Sequence, residues 1–78
     1  MALITALEKD DRSFRSTHPT HVVGKYISQE LDGKTIFQLN TYGSENREIP
    51  DKLSQTIQLT ETTAYELWKI LGKEFGFR

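Results

Sequence analysis

The 78-residue chain contains no cysteine, so no disulfide can stabilise it, and the lack of thiols fits a reducing compartment. Its only histidines, His18 and His21, have no cluster of acids or thiols beside them, so the sequence predicts no metal site. A chain of this length buries only about 60–65% of its unfolded surface, which gives a marginal core. We therefore expect association with a second copy to supply the missing burial.

The sequence also has no excess of charge of one sign. Ten basic and eleven acidic residues leave a net charge of −1, so any binding of nucleic acid must be local. The opening residues MALITALEKDD have no basic n-region, and no apolar run is long enough to span a membrane. We therefore expect a soluble, cytoplasmic protein that has no contact with a membrane.

Arrangements of side chains typical of catalysis are missing as well. Ser13, Ser16 and Thr17 lie near the histidines, but no orienting acid or oxyanion hole accompanies them. The stretch TYGSENREIPDKLSQTIQL contains a glycine turn, but it lacks the spacing of a phosphate-binding loop and no helix follows that glycine at once. We expect no enzyme activity, no catalytic residue, no cofactor and no small-molecule substrate.

Residues 1–20 are predicted to form an N-terminal arm, and residues 21–78 a single domain. Within the arm, Leu3, Ile4 and Leu7 fit either one turn of an apolar helix face or a short strand. The remainder of the arm is polar, with acidic and basic residues that cancel one another. We expect this arm to be partly irregular.

Three strands are predicted in the domain. The first run, 21–31, is rich in β-branched and aromatic residues and leads into Asp32-Gly33, a strong signal for a tight hairpin turn. The second run, 34–42, follows directly, and a third covers 54–59. In each run the apolar and polar residues alternate, so every strand should have one apolar and one polar face.

A C-terminal amphipathic helix is predicted from Glu61 to about Phe75. Thr60 suits its N-cap, and Gly76 suits the left-handed position after its end. A helical period places one apolar stripe towards the core: Ala64, Leu67, Trp68, Leu71 and Phe75.

The apolar arc of this helix is wider than one sheet requires, because Tyr65 and Ile70 flank the stripe on opposite sides. The excess predicts a homodimer through the same helix of another copy, although an N-terminal arm wrapped over the helix is an alternative. The residues assigned to the dimer interface are Tyr65, Trp68, Ile70 and Leu71.

Several motifs follow one another in a recognisable order. They are Gly33-Lys34 opening a strand, Tyr42 near its end, Pro50 and Lys52 in a polar loop, the Ile57-x-Leu59 pair, and an aromatic-bearing amphipathic helix. Over residues 22–72 this order resembles the positive cofactor family of transcriptional coactivators, which are small single-stranded-DNA-binding domains.

The resemblance implies an α+β fold with a strongly bent antiparallel meander of three to four strands and a C-terminal helix that pairs in a homodimer. Four strands require either splitting the first run at Gly24 or recruiting the arm, and both alternatives stay open. The resemblance also implies that single strands bind across the polar face of the sheet.

The predicted function is therefore binding of nucleic acid, preferably single-stranded DNA, by an accessory factor of transcription or DNA metabolism. Basic side chains contact phosphates and aromatic rings stack on bases. The predicted contact set is Lys25, Tyr26, Lys34, Tyr42, Arg47, Lys52, Ser54 and Gln55.

The alternative is a protein–protein interaction module or small inhibitor that binds no nucleic acid. Asn40 and Gly43 favour it, because they stand where the family tends to place an arginine and a tryptophan. Acidic residues interleaved among the basic ones also fit an ordinary solvated surface. These acids are Glu30, Asp32, Glu45, Glu48 and Asp51.

Overall fold

The computed structural model describes residues 1–43 and 52–77. They form four strands and one helix, in the order β1 (Ala2–Ile4), β2 (Gly24–Leu31), β3 (Lys34–Tyr42), β4 (Leu53–Leu59) and α1 (Glu61–Phe75). The strands make a single sheet in the order β1-β4-β3-β2. The predicted α+β class, with one C-terminal helix after the sheet, is confirmed.

The hairpin between β2 and β3 turns at Asp32 and Gly33. Both residues have positive φ angles, 53° and 78°, as a two-residue turn of type I′ requires. Glycine reaches this region without steric cost, and aspartate tolerates it better than most residues do. The predicted turn is confirmed, while β2 begins at Gly24, three residues later than the predicted start at His21.

β3 and β4 pair antiparallel, with one irregularity near the end of β3. Thr41 lies opposite Gln55, whereas Tyr42 lies opposite Leu53, so the register skips Ser54. An extra residue of this kind bends the strand and increases its local twist.

The fourth strand comes from the N-terminal arm, which was one of the two open alternatives. Ala2 to Ile4 run parallel to β4, with Ala2 opposite Ile57 and Ile4 opposite Leu59. The sheet is therefore mixed, and the expectation of a purely antiparallel meander is wrong. β1 supplies hydrogen-bond partners for an edge of β4 that no other strand covers. Residues 5–23 contain no helix or strand.

α1 begins and ends at the predicted residues. The Thr60 hydroxyl accepts a hydrogen bond of 3.2 Å from the backbone N–H of Thr63, and Gly76 adopts a left-handed conformation with φ 74°. The hydroxyls of Thr60 and Thr63 are also 3.0 Å apart, and Thr63 is completely buried. The junction between β4 and the helix is therefore tightly hydrogen-bonded.

The helix contacts β3 and β4. A cavity of about 290 Å³ beside its first turns is lined by residues that include Phe37, Leu59 and Ala64. Leu59 is the buried hydrophobic residue of the described chain, whereas Trp68 and Phe75 are 62% and 68% exposed. In a single copy, the prediction that the apolar stripe of the helix lies in a core is therefore wrong for Trp68, Leu71 and Phe75. Ala64 and Leu67, nearer the start of the helix, are half-buried.

Candidate nucleic-acid interface

Alternation along the strands gives the sheet two faces of different chemistry. The face called polar carries Lys25, Gln29, Lys34, Gln38, Asn40, Tyr42, Thr56 and Gln58, together with the aliphatic residues Leu3, Ile27, Leu31, Ile36 and Leu53. The apolar face carries Tyr26, Phe37, Leu39, Ile57 and Leu59, together with Ser28, Glu30, Thr35, Thr41 and Gln55.

The centre of the polar face is a network of side-chain hydrogen bonds between β3 and β4. The Asn40 Oδ1 accepts from Gln38 Nε2 at 3.0 Å and from Thr56 Oγ1 at 2.9 Å. Gln58 Nε2 donates to Gln38 Oε1 at 2.8 Å. Asn40 and Thr56 are each only 4% exposed, so the network stiffens the face from within.

Sequence reasoning missed this network as a feature of the site. The signal was present, because amide and hydroxyl residues stand at alternate positions in β3 and β4 and share a face. It was not specific, since solvated strands often show the same alternation.

A lysine and a tyrosine meet on the polar face at one end of β3. The Lys25 Nζ lies 4.9 Å from the centroid of the Tyr42 ring, a cation–π contact. Lys25 is paired with Asn40, so the lysine reaches diagonally across the hairpin to Tyr42. The pair sets a positive charge beside a ring that is half-buried.

Two further lysines of the predicted contact set are placed by β3. The Gly43 N–H donates to the Lys52 carbonyl at 2.9 Å, which holds the backbone of Lys52 next to the end of β3 that carries Tyr42. Lys34 lies on the polar face at the beginning of β3. At the usual rise per residue, it is about 26 Å from Tyr42 at the other end of the strand. Basic groups therefore flank both ends of this face.

The strands of the polar face carry no carboxylate among the described residues. Glu30 follows the alternation onto the apolar face, and Asp32 lies in the turn. The other interleaved acids, Glu45, Glu48 and Asp51, lie outside the described residues.

The structure does not bring the whole predicted contact set together. Tyr26 lies on the apolar face, where its ring stacks on that of Phe37 at 5.7 Å between centroids. Gln55, opposite Thr41, shares that face, and the sheet register skips Ser54. Arg47 lies outside the described residues. The members left near the polar face are Lys25, Lys34, Tyr42 and Lys52.

The predicted dimer-interface residues are all exposed on α1, with Tyr65, Trp68 and Leu71 spaced three residues apart and Ile70 on the opposite side of the helix from Trp68. They are Tyr65, 58% exposed, Trp68, 62%, Ile70, 44%, and Leu71, 37%. The rings of Tyr65 and Trp68 lie 5.6 Å apart, and the Lys69 Nζ lies 5.6 Å from the Tyr65 ring.

A groove of about 540 Å³ lies beside these aromatic side chains. Its lining includes Trp68, Gly72 and Phe77, and the chain after Gly76 turns back so that the Phe77 ring stacks on that of Phe75 at 5.3 Å. This C-terminal surface is apolar and uncovered in a single copy.

Other kinds of site have little support in the described residues. Within residues 1–43 and 52–77, no three histidine, aspartate or glutamate side chains are close enough to hold a metal ion. The His18 Nδ1 accepts a hydrogen bond from the backbone N–H of Thr20 at 3.0 Å, a local turn contact. In the same part of the chain, no helix has the length and apolar character to cross a bilayer.

The geometry of the two faces is the basis for any statement about function. The resemblance to the positive cofactor family stays a prediction. No protein-family model, curated protein or solved structure matches this chain.

Proposed function

We propose that this protein binds single-stranded nucleic acid, preferably DNA, across the polar face of its sheet. The observation that carries the proposal is the contact between Lys25 and Tyr42 on a face whose described strand residues include no carboxylate. A near-neutral protein can bind a polyanion only where positive charge is concentrated locally.

The proposed contacts divide between phosphates and bases. Lys25, Lys34 and Lys52 are exposed and supply charge along the nucleic-acid backbone, while the Tyr42 ring supplies a surface for stacking. The hydrogen-bonded network around Asn40 keeps β3 and β4 in register, so that these groups are held in place before the ligand binds. Affinity without base-specific contacts suits an accessory factor of transcription or DNA metabolism.

Titration of a fluorescent oligothymidine at low salt, followed by anisotropy, tests the proposal. Tyr42→Ala should weaken binding by roughly 5- to 150-fold, because stacking contributes about 1–3 kcal/mol per base. Lys25→Ala should make the slope of log affinity against log salt shallower by about 0.7, the value for one lost phosphate contact on a single strand.

Lys69→Ala is the matched control, because Lys69 also lies over a tyrosine ring but sits on the helix. It should leave the affinity and the salt slope unchanged. No binding at tens of micromolar protein, or equal losses for Lys25→Ala and Lys69→Ala, would show that the polar face is not a specific site. The exposed apolar surfaces would then favour the alternative, a module or inhibitor that binds another protein.

We further propose that the protein is a homodimer and that α1 contributes to its interface. The exposed Tyr65, Trp68 and Leu71 support this proposal, because contiguous apolar surface on a small soluble protein marks a contact site. Light scattering should give a mass of about 18 kDa, twice the 9.0 kDa of the chain. A mass of one chain that does not change with concentration would contradict it.

A further inference from the structure

Much of the apolar face of the sheet is left uncovered by the chain's own helix. Leu59, beside the start of α1, is buried, but Leu39 and Ile57 on the same face are 43% and 40% exposed. Tyr26, further out on β2, is 72% exposed. Only the part of this face nearest the helix start is therefore covered.

This uncovered surface has a defined shape. The stacked rings of Tyr26 and Phe37 form a ridge across β2 and β3. Beside the ridge, Gly24 has no side chain, and a methyl group at its Cβ position would lie 3.5 Å from Leu39 Cδ1. The Leu39 side chain therefore lies against the glycine, and both adjoin the ridge on the exposed part of this face.

The total exposed area of the chain indicates how much surface is available for a partner to cover. The chain exposes 7534 Å², whereas a folded monomer of its mass exposes about 4850 Å². Its radius of gyration is 14.8 Å, against about 11.5 Å for a compact domain of its length. The irregular segment 5–23 accounts for part of this excess. The total excess, that segment included, is roughly 2700 Å², and the 800 Å² or so that each partner contributes to a stable interface is less than a third of it.

We propose that α1 of each copy packs on the apolar face of the other copy's sheet. The inference rests on the homodimer proposed above and specifies which surfaces meet. Helix against helix alone would leave Leu39 and Ile57 in water, whereas a two-fold contact of helix on sheet covers both apolar surfaces at once. The polar face of each copy, on the other side of its sheet, stays open for nucleic acid.

Disulfide trapping tests the arrangement cleanly because the chain has no cysteine of its own. Leu39→Cys is mixed in turn with Trp68→Cys, Leu71→Cys and Phe75→Cys, and each mixture is oxidised. At least one mixture should give a covalent dimer that contains one chain of each variant. Lys25→Cys, on the polar face, is the control and should give none with the same partners.

The alternative outcomes separate the two proposals. Links only between identical helix variants would show that helix meets helix, which overturns this inference and leaves the homodimer intact. A single-chain mass for the unmodified protein would overturn both. Mixed links between the helix variants and Lys25→Cys would place the partner on the polar face and also overturn the inference.

A second variant keeps the test independent of cross-linking geometry. Leu39→Asp should raise the dimer dissociation constant by about 30-fold or more, the effect of losing a central contact of an interface. Its circular dichroism should match that of the unmodified chain, since Leu39 is not in the buried core. Unchanged dimerisation of a folded Leu39→Asp protein would contradict the inference. Lys25→Ala should leave dimerisation unaltered even where it weakens nucleic-acid binding.

Discussion

The two faces of this sheet show the opposite of the usual relation between polarity and burial. On the polar face, Asn40 and Thr56 are almost completely buried and are hydrogen-bonded to each other. On the apolar face, Leu39 and Ile57 keep about two-fifths of their surface in water, as their 43% and 40% exposures show. Most antiparallel sheets with one solvated face place the apolar side chains inside and the polar ones outside.

The difference shows that the two faces are stabilised by different interactions. The buried polar side chains of the polar face are hydrogen-bonded within one chain, so they need no partner to satisfy them. The apolar face gains its stabilisation only when water is removed from it, at roughly 25 cal/mol per Å². In a single copy the polar face is thus internally hydrogen-bonded, whereas much of the apolar face stays in water.

The largest expected effect is at the one place where the apolar face is already covered. Leu59→Ala should lower the free energy of unfolding by about 2–5 kcal/mol, because it removes buried methyl groups and leaves a cavity. Urea denaturation at low protein concentration measures it. Ile57→Ala, on the same strand and face but 40% exposed, is the matched control and should cost clearly less. Equal losses of unfolding free energy for the two variants would mean that Leu59 and Ile57 are equally buried. The apolar face would then have no uncovered part at Ile57.

On the polar face, Asn40→Ala should lower the free energy of unfolding by about 1–3 kcal/mol. The substitution leaves the buried Thr56 hydroxyl without the acceptor that it uses at 2.9 Å. Thr56→Val removes the donor instead, and the double variant should lose less than the sum of the two single losses. Strictly additive losses would show that this hydrogen bond does not stabilise the face.

The Asp32-Gly33 turn sets the register of β2 on β3, and so which side chains share a face. A substitution in this turn should have the next largest effect on stability. Gly33→Ala should lower the free energy of unfolding by about 1–2 kcal/mol, because its φ of 78° is unfavourable for a residue with a Cβ. Gly24→Ala serves as the control, since its added methyl would make an ordinary contact of 3.5 Å with Leu39. Thermal unfolding should distinguish the two, and a more damaging Gly24→Ala would contradict this account.

The smallest effect should come from the helix cap above the covered end of the apolar face. Thr60→Ala should cost about 1 kcal/mol, because it removes the acceptor of the Thr63 N–H. Thr62→Ala, exposed in the first turn, should be nearly neutral. Chemical denaturation followed at the far-ultraviolet helix signal compares them, and similar losses would argue against the cap.

Local features of the fold were predictable from the sequence because short-range chemistry determines them. The limits of β3 and α1, the Asp32-Gly33 turn and both helix caps follow from side-chain alternation, backbone preference and hydroxyl geometry. The parallel pairing of Ala2 to Ile4 with β4 was not predictable, since three apolar residues fit a helix turn equally well. The 3.6-residue period showed which side chains of the helix share a face, but not that the sheet would meet only its start.

The candidate site was predictable in part. Lys25 and Tyr42 were assigned to one contact set, and the structure brings them into contact. Tyr26 was assigned to the same set, although neighbouring residues in a strand point to opposite faces, and strand alternation alone would have separated it from Lys25. Burial at Asn40 could not be foreseen, because it depends on which side chains surround the residue in three dimensions.

The parallel strand β1 has a consequence for how the molecule assembles. Its partners in β4 are roughly 55 residues away along the chain, so this pairing closes a long loop and loses more entropy than the β2–β3 hairpin does. During synthesis the hairpin can form early, whereas Ala2 to Ile4 must wait until β4 has left the ribosome. Until then β1 has no strand of its own chain to pair with, and the edge of a β4 strand from another copy competes for it.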